Sequence, residues 1–154
     1  MSAERTRTVG DVLDEVAFTV EAGKVGEFAR ATHATDPVHS DPVAAAAAGF
    51  GALAATPTHV VVSGHHRDQR AMVERLGLAL ERVIVGSVRW RYRRPLVVGD
   101  ELRGVRRLVG DERVGGGSGR PPMRRITLET TFVDAAGEAA VEWREVVLER
   151  GVPS

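Results

Sequence analysis

Beyond Leu80 the hydrophobic period of this chain changes to two, and that switch constrains its fold more than any other feature. Successive side chains of a strand point to opposite faces, so a period of two marks a half-buried strand. Val88, Trp90 and Tyr92 fall on one face, and Arg89, Arg91 and Arg93 fall on the other. Glu101 to Val109 reads as a second, less regular strand, and Ile126, Leu128, Thr130 and Phe132 alternate again. Pro95 and the pair Gly99–Asp100 mark a turn, and residues 135–138 (AAGE) mark a hairpin. In the last segment Val141 and Trp143 share one face, whereas Val146 and Leu148 share the other. Either a bulge shifts the phase there or both faces are covered.

Upstream the pattern is a short strand followed by helices. Val16 to Val20 suits a strand, and Val25, Phe28, Ala29 and Thr32 recur at helical spacing. Pro37 ends that helical region, because the residue before a proline avoids the helical conformation. Asp41 followed by Pro42 is a cap and first turn for a helix over Val43 to Ala48, which Gly49 ends. Thr56–Pro57 repeats the cap signature ahead of Val60 to Val62. The polar run Ser63 to Arg70 breaks this helix before it resumes over Ala71 to Leu76, and Gly77 stops it. One strand, then helices, then four antiparallel strands is an α+β arrangement.

With 154 residues the chain is expected to form one domain, residues 1–154, able to bury roughly 70% of its unfolded surface. One low-complexity stretch, residues 110–122 (GDERVGGGSGRPP), reads as a long mobile loop. The 21 basic and 21 acidic residues cancel, which argues against a nucleic-acid binder or a basic membrane-surface protein. The absence of cysteine excludes a disulfide framework, a thiolate metal site and a cysteine nucleophile. The opening MSAERTRTVG is polar, and the longest weakly apolar run, Val43 to Ala55, is too short to cross a membrane. A cytoplasmic protein is expected.

Residues 31–58 (ATHATDPVHSDPVAAAAAGFGALAATPT), residues 89–102 (RWRYRRPLVVGDEL) and the closing hairpin from Ile126 to Gly151 together resemble the MaoC-like dehydratases, the (R)-specific enoyl hydratases of the hot-dog fold. The resemblance spans residues 10–151 and is greatest to the N-terminal-type MaoC domain, which includes a non-catalytic subunit of mycobacterial (3R)-hydroxyacyl-ACP dehydratases. It implies a curved antiparallel sheet wrapped around a long central helix, with two such sheets joined edge to edge in a dimer. It also implies reversible dehydration of a (3R)-3-hydroxyacyl thioester of coenzyme A or acyl carrier protein, part of fatty acid metabolism, without metal or redox cofactor.

That chemistry needs an acid or base for the C2 proton, a second group for water at C3, and a donor for the thioester oxygen as it gains enolate charge. Active relatives supply the first two from a loop reading Asp-x-Asn-Pro-x-His. Here the matching stretch is Ala34-Thr35-Asp36-Pro37-Val38-His39. Pro37 and His39 match, but the position of the Asp is Ala34 and that of the Asn is Asp36. The glycine whose N–H serves as donor falls at Pro57, and proline has no N–H. Loss of one such donor costs about 3–4 kcal/mol of barrier.

Three readings follow. The chain is an acyl-binding half-subunit acting with a catalytic MaoC partner; or an active hydratase using Asp36 and His39, with the Thr58 or His59 N–H replacing the missing donor; or another hot-dog protein, such as a thioesterase or acyl-CoA-binding regulator. Thr56, Thr58 and His59 are the candidate substrate-binding residues, and a homodimer or heterodimer is expected. Each candidate also has a plainer reading. His39 suits a loop histidine bonded to backbone, Asp36 a cap before Pro37, His59 a packed core histidine, and His33 a solvent-facing helix end. His65 and His66 are neighbours without metal-site spacing, so no metal is expected. Arg89, Arg91, Arg93, Arg94, Arg103, Arg106 and Arg107 form a basic group on two successive strands. It suits either coenzyme A phosphates and an acidic carrier protein or a solvated face paired with local Glu. Trp90, Tyr92 and Trp143 read as core or pair interface.

Overall fold

The computed structural model describes residues 7–117, 119 and 121–151. Strands β1 (Val12–Thr19), β2 (Val83–Tyr92), β3 (Glu101–Val114), β4 (Met123–Val133) and β5 (Ala139–Glu149) make one antiparallel sheet in the order β1-β3-β4-β5-β2. Between β1 and β2 lie helices α1 (Ala22–Ala31), α2 (Pro42–Ala47) and α3 (Gln69–Arg75), with 3-10 segments at Pro37–His39, His59–His66 and Leu80–Arg82. The α+β class read from the period switch is the class observed.

Local chemistry explains most boundaries. The Asp41 and Asp68 carboxylates accept from the N–H groups of Val43 and Ala71, capping α2 and α3. Helix α1 ends with His33 at φ 55°, where the N–H of His33 bonds to Arg30 and that of Ala34 to Ala29. That left-handed closure is normally made by glycine. The hairpin at 134–138 is held by Asp134 Oδ1, which accepts from the N–H groups of Ala136 and Glu138.

Three expectations are corrected. The long helix that the resemblance implies is not one element: an eight-residue 3-10 segment, His59–His66, hands over to α3 at Arg67–Asp68, inside the polar run Ser63 to Arg70 where a break is expected. Three consecutive β-branched valines followed by Ser63 and Gly64 are weak helix formers, and the Arg67 side chain is drawn down onto the sheet. Residues 110–114 are not loop, since β3 continues to Val114 opposite Met123 with a register shift at Gly110; Ser118 and Arg120 lie outside the described residues. Third, β2 and β3 are consecutive in sequence but are separated in the sheet by β4 and β5, so their arginines do not form one basic group.

The phase question in β5 is settled by pairing. Val141, Trp143, Glu145 and Val147 keep an unbroken register with Phe132, Thr130, Leu128 and Ile126, so the inner face has no shift there. Val146 and Leu148 lie on the outer face, where Leu148 covers Gly86, the register shift of β2. The core has two parts. Val60 of the 3-10 segment packs with Val16, Phe18, Leu102 and Phe132, and Met72 of α3 packs with Leu13, Leu108, Ile126 and Val147. At Gly104 a Cβ would stand 2.6 Å from the Phe132 ring, so glycine is required where β1, β3 and β4 meet.

Candidate functional site

A cleft of about 350 Å3 opens at the start of the central helical segment. One wall is Ala55, Thr56 and Pro57; the other is Tyr92, Arg93, Arg94, Pro95 and Leu96, the chain leaving β2 to cross towards β3. The walls are tied by backbone bonds: the N–H of Ala55 donates to Leu96 and that of Val98 to Leu53, beside the bridge of Ala54 to Val97. The Tyr92 hydroxyl donates to the Pro57 carbonyl across the cleft. Burial raises the Tyr92 phenol to about 12, so it remains protonated at neutral pH.

The histidine loop docks onto the same segment. The N–H of Ala54 donates to the Val38 carbonyl, and the Nδ1 of His39 lies 2.6 Å from the Ala54 carbonyl oxygen. An acceptor at that distance requires the proton on Nδ1, so in the neutral ring it is Nε2 that carries the lone pair. Asp36 does not join it: the residue is exposed, and its carboxylate accepts from the Val38 N–H as the cap of the 3-10 turn. Among the described residues no carboxylate is hydrogen-bonded to His39. Ala34, half-buried, carries only a methyl group.

Thr56 is buried, lines the cleft, and its Oγ1 has no partner among the described residues. Thr58 is exposed and outside the lining. His59 is fully buried, its ring 5.9 Å from that of Phe18 and 5.4 Å from that of Phe28, edge-on to the latter. It is a core residue, not a wall of the cleft. Its N–H is held by the Thr56 carbonyl and is not free to bind a ligand. Both its ring nitrogens lack partners among the described residues, and burial pushes its pKa down.

The arginines divide. Arg93 pairs with Glu142, Arg94 with Asp100 and Asp134, and Arg103 with Glu15, as the plainer reading expects. Arg106 is different: it is 2% exposed, beneath Arg67. Arg67 reaches Asp14 at 2.5 Å, Arg106 lies 3.5 Å from Asp14 and 3.8 Å from Glu145, and Gln69 accepts from Arg106. Burial, then Arg106, lowers Arg67 to about 10, while burial raises Glu145. His65 and His66 are exposed at the end of the 3-10 segment. No group of three or more His, Asp or Glu suited to a metal ion occurs among the described residues, and no helix is long and apolar enough to cross a membrane.

The sequence reading missed Tyr92, Arg93 and Arg94 as cleft residues, and it missed the Ala54 carbonyl as the acceptor that orients His39. No spacing rule brings residue 92 to residue 57. A weaker signal existed for the aromatic strand running into a proline turn.

A single antiparallel sheet over a broken helical segment, with a histidine loop clamped where that segment begins, defines the class of the hot-dog domains of MaoC-like dehydratases. Residues 7–143 match the family described as FAS1-like, dehydratase domain region, and the chain belongs to that family. A UPF0336 protein of Clavibacter michiganensis subsp. michiganensis is 35% identical over 144 residues, covering 92% of this chain and 93% of that protein. Among solved structures, a MaoC-like dehydratase superposes with a TM-score of 0.79 at 29% identity; the match covers 97% of this chain but only 44% of that one. The HadBC (3R-hydroxyacyl-ACP dehydratase) complex of Mycobacterium tuberculosis superposes at 0.73 with 19% identity, covering 88% of this chain and 94% of that one, a likeness of fold.

Proposed function

We propose that this chain is the acyl-thioester-binding half of a MaoC-type dehydratase and works beside a subunit that carries the intact catalytic loop. The observation that carries this reading is the surroundings of His39. Its ring is bonded to a backbone carbonyl, the position of the partner carboxylate is Ala34, and Asp36, on the same loop, is a solvent-facing cap. An imidazole alone moves one proton; it does not manage both C2 and C3. Pro57 adds to the argument, because the start of the helical segment lacks the amide hydrogen that active relatives use.

Pairing has its own support. Strand β2 bonds only to β5, so its other edge is open among the described residues. Ile84, Val85 and Val88 on it are 41%, 66% and 37% exposed. Apolar edge strands of this length are normally covered. HadBC, similar in fold, is itself a complex.

The second reading, an active hydratase using Asp36 and His39, draws on the free Nε2 of His39, a base in the correct tautomer. A hydration assay separates the two. With crotonyl-CoA the purified chain is expected to stay at the uncatalysed rate. Turnover by the chain alone, lost in both His39→Ala and Asp36→Ala, would establish the second reading instead.

A further inference from the structure

Pro57 removes a backbone donor from the start of the helical segment, yet two residues that line the cleft, Thr56 and Tyr92, carry hydroxyls. Thr56 lines the cleft, and its buried Oγ1 has no hydrogen-bond partner among the described residues. Tyr92 stands on the opposite wall, with its O–H directed at the carbonyl of Pro57, the residue after Thr56. We propose that Thr56 and Tyr92 together form a hydroxyl pair that binds the carbonyl oxygen of an acyl thioester, in place of the absent amide hydrogen. This rests on the reading of the cleft as an acyl-thioester site and names the groups that recognise the ligand there.

The geometry supports it in three ways. A carbonyl oxygen has two lone pairs and accepts two hydrogen bonds, one from each wall. The phenolic O–H turns about its C–O bond, so the hydrogen on Pro57 can be transferred to a ligand oxygen while water takes over the carbonyl of the exposed Pro57. The other polar side chains of the cleft are already engaged, Arg93 with Glu142 and Arg94 with Asp100 and Asp134. Ala55, Pro95 and Leu96 give the remaining lining an apolar character suited to the methylenes beside the thioester. Burial keeps the Tyr92 phenol protonated, and therefore a donor, throughout the neutral range.

The test compares two ligands that differ only at the carbonyl: butyryl-CoA and its thioether analogue S-butyl-CoA, titrated calorimetrically into the full chain. Each hydroxyl is expected to favour the thioester by about fivefold, the worth of one net hydrogen bond. The wild type should therefore prefer butyryl-CoA by roughly 25-fold, Tyr92→Phe and Thr56→Val by roughly fivefold, and the double variant hardly at all. Thr56→Ser should keep the wild-type preference, which separates a lost donor from disturbed packing. Equal binding of both ligands by the wild type overturns the hydroxyl pair but leaves the acyl-CoA site standing. So does a preference unchanged in Tyr92→Phe and Thr56→Val. Binding of neither ligand overturns the pair and the thioester reading together.

Discussion

His59 is the residue whose chemistry is most at odds with its place. A neutral imidazole sits between two phenylalanines with neither nitrogen satisfied among the described residues. Burial depresses its folded pKa, so below the unfolded value near 6.5 the unfolded chain binds the extra proton. The folded state therefore loses stability as pH falls from about 6.5 towards the folded pKa, by up to roughly 1.4 kcal/mol per unit. His59→Leu is expected to fold and to show a shallower loss between pH 7 and pH 5 in urea melts; the same slope as wild type would assign the acid sensitivity elsewhere. His33, at φ 55°, is strained for a side chain with a Cβ. His33→Gly should raise stability by up to about 1 kcal/mol, read from the shift in urea midpoint. Both placements were partly legible in the sequence, which put His33 at a helix end and made His59 a packed residue. The missing partners of the His59 ring were not legible, because satisfaction depends on what the fold brings alongside.

At the scale of elements, the sheet holds a polar row through its core. Asp14 on β1 is in register with Arg106 on β3, and Arg106 with Thr130 on β4. Arg67 and Gln69 close over this row between the two apolar clusters. Removing one member leaves the others buried and uncompensated, so Arg106→Ala should cost about 3–5 kcal/mol, and Arg106→Met distinctly less. Equal losses in denaturant titrations would show that volume, not charge, governs the position. Gly104→Ala should cost about 1–3 kcal/mol by pushing against Phe132. The alternation of β3 was readable, and Arg106 falls in phase with Leu102 and Leu108. Reading an arginine as solvent-facing overrode that phase. The crossover separating β2 from β3 left no trace in local pattern, since strand pairing joins residues far apart in sequence.

At the scale of the molecule, the proposal that the chain is a binding half turns on residues 34 and 57. The histidine loop and the crossing wall meet at the start of the helical segment, while alanine and proline stand at positions 34 and 57, where the resemblance places a carboxylate and an amide donor. Those two losses were visible in the sequence, because they are questions of residue type. Which atoms hold His39 and which line the cleft needed the fold. If the chain is a binding half, catalysis belongs to its partner. The most direct measurement is the crotonyl-CoA hydration rate of the mixture of this chain with a MaoC subunit carrying the intact Asp-x-Asn-Pro-x-His loop, with the loop histidine changed to alanine in one subunit at a time. Activity should vanish when the partner subunit is changed and persist, within about twofold, in His39→Ala of this chain. Activity that is abolished by His39→Ala and survives the change in the partner would contradict the account.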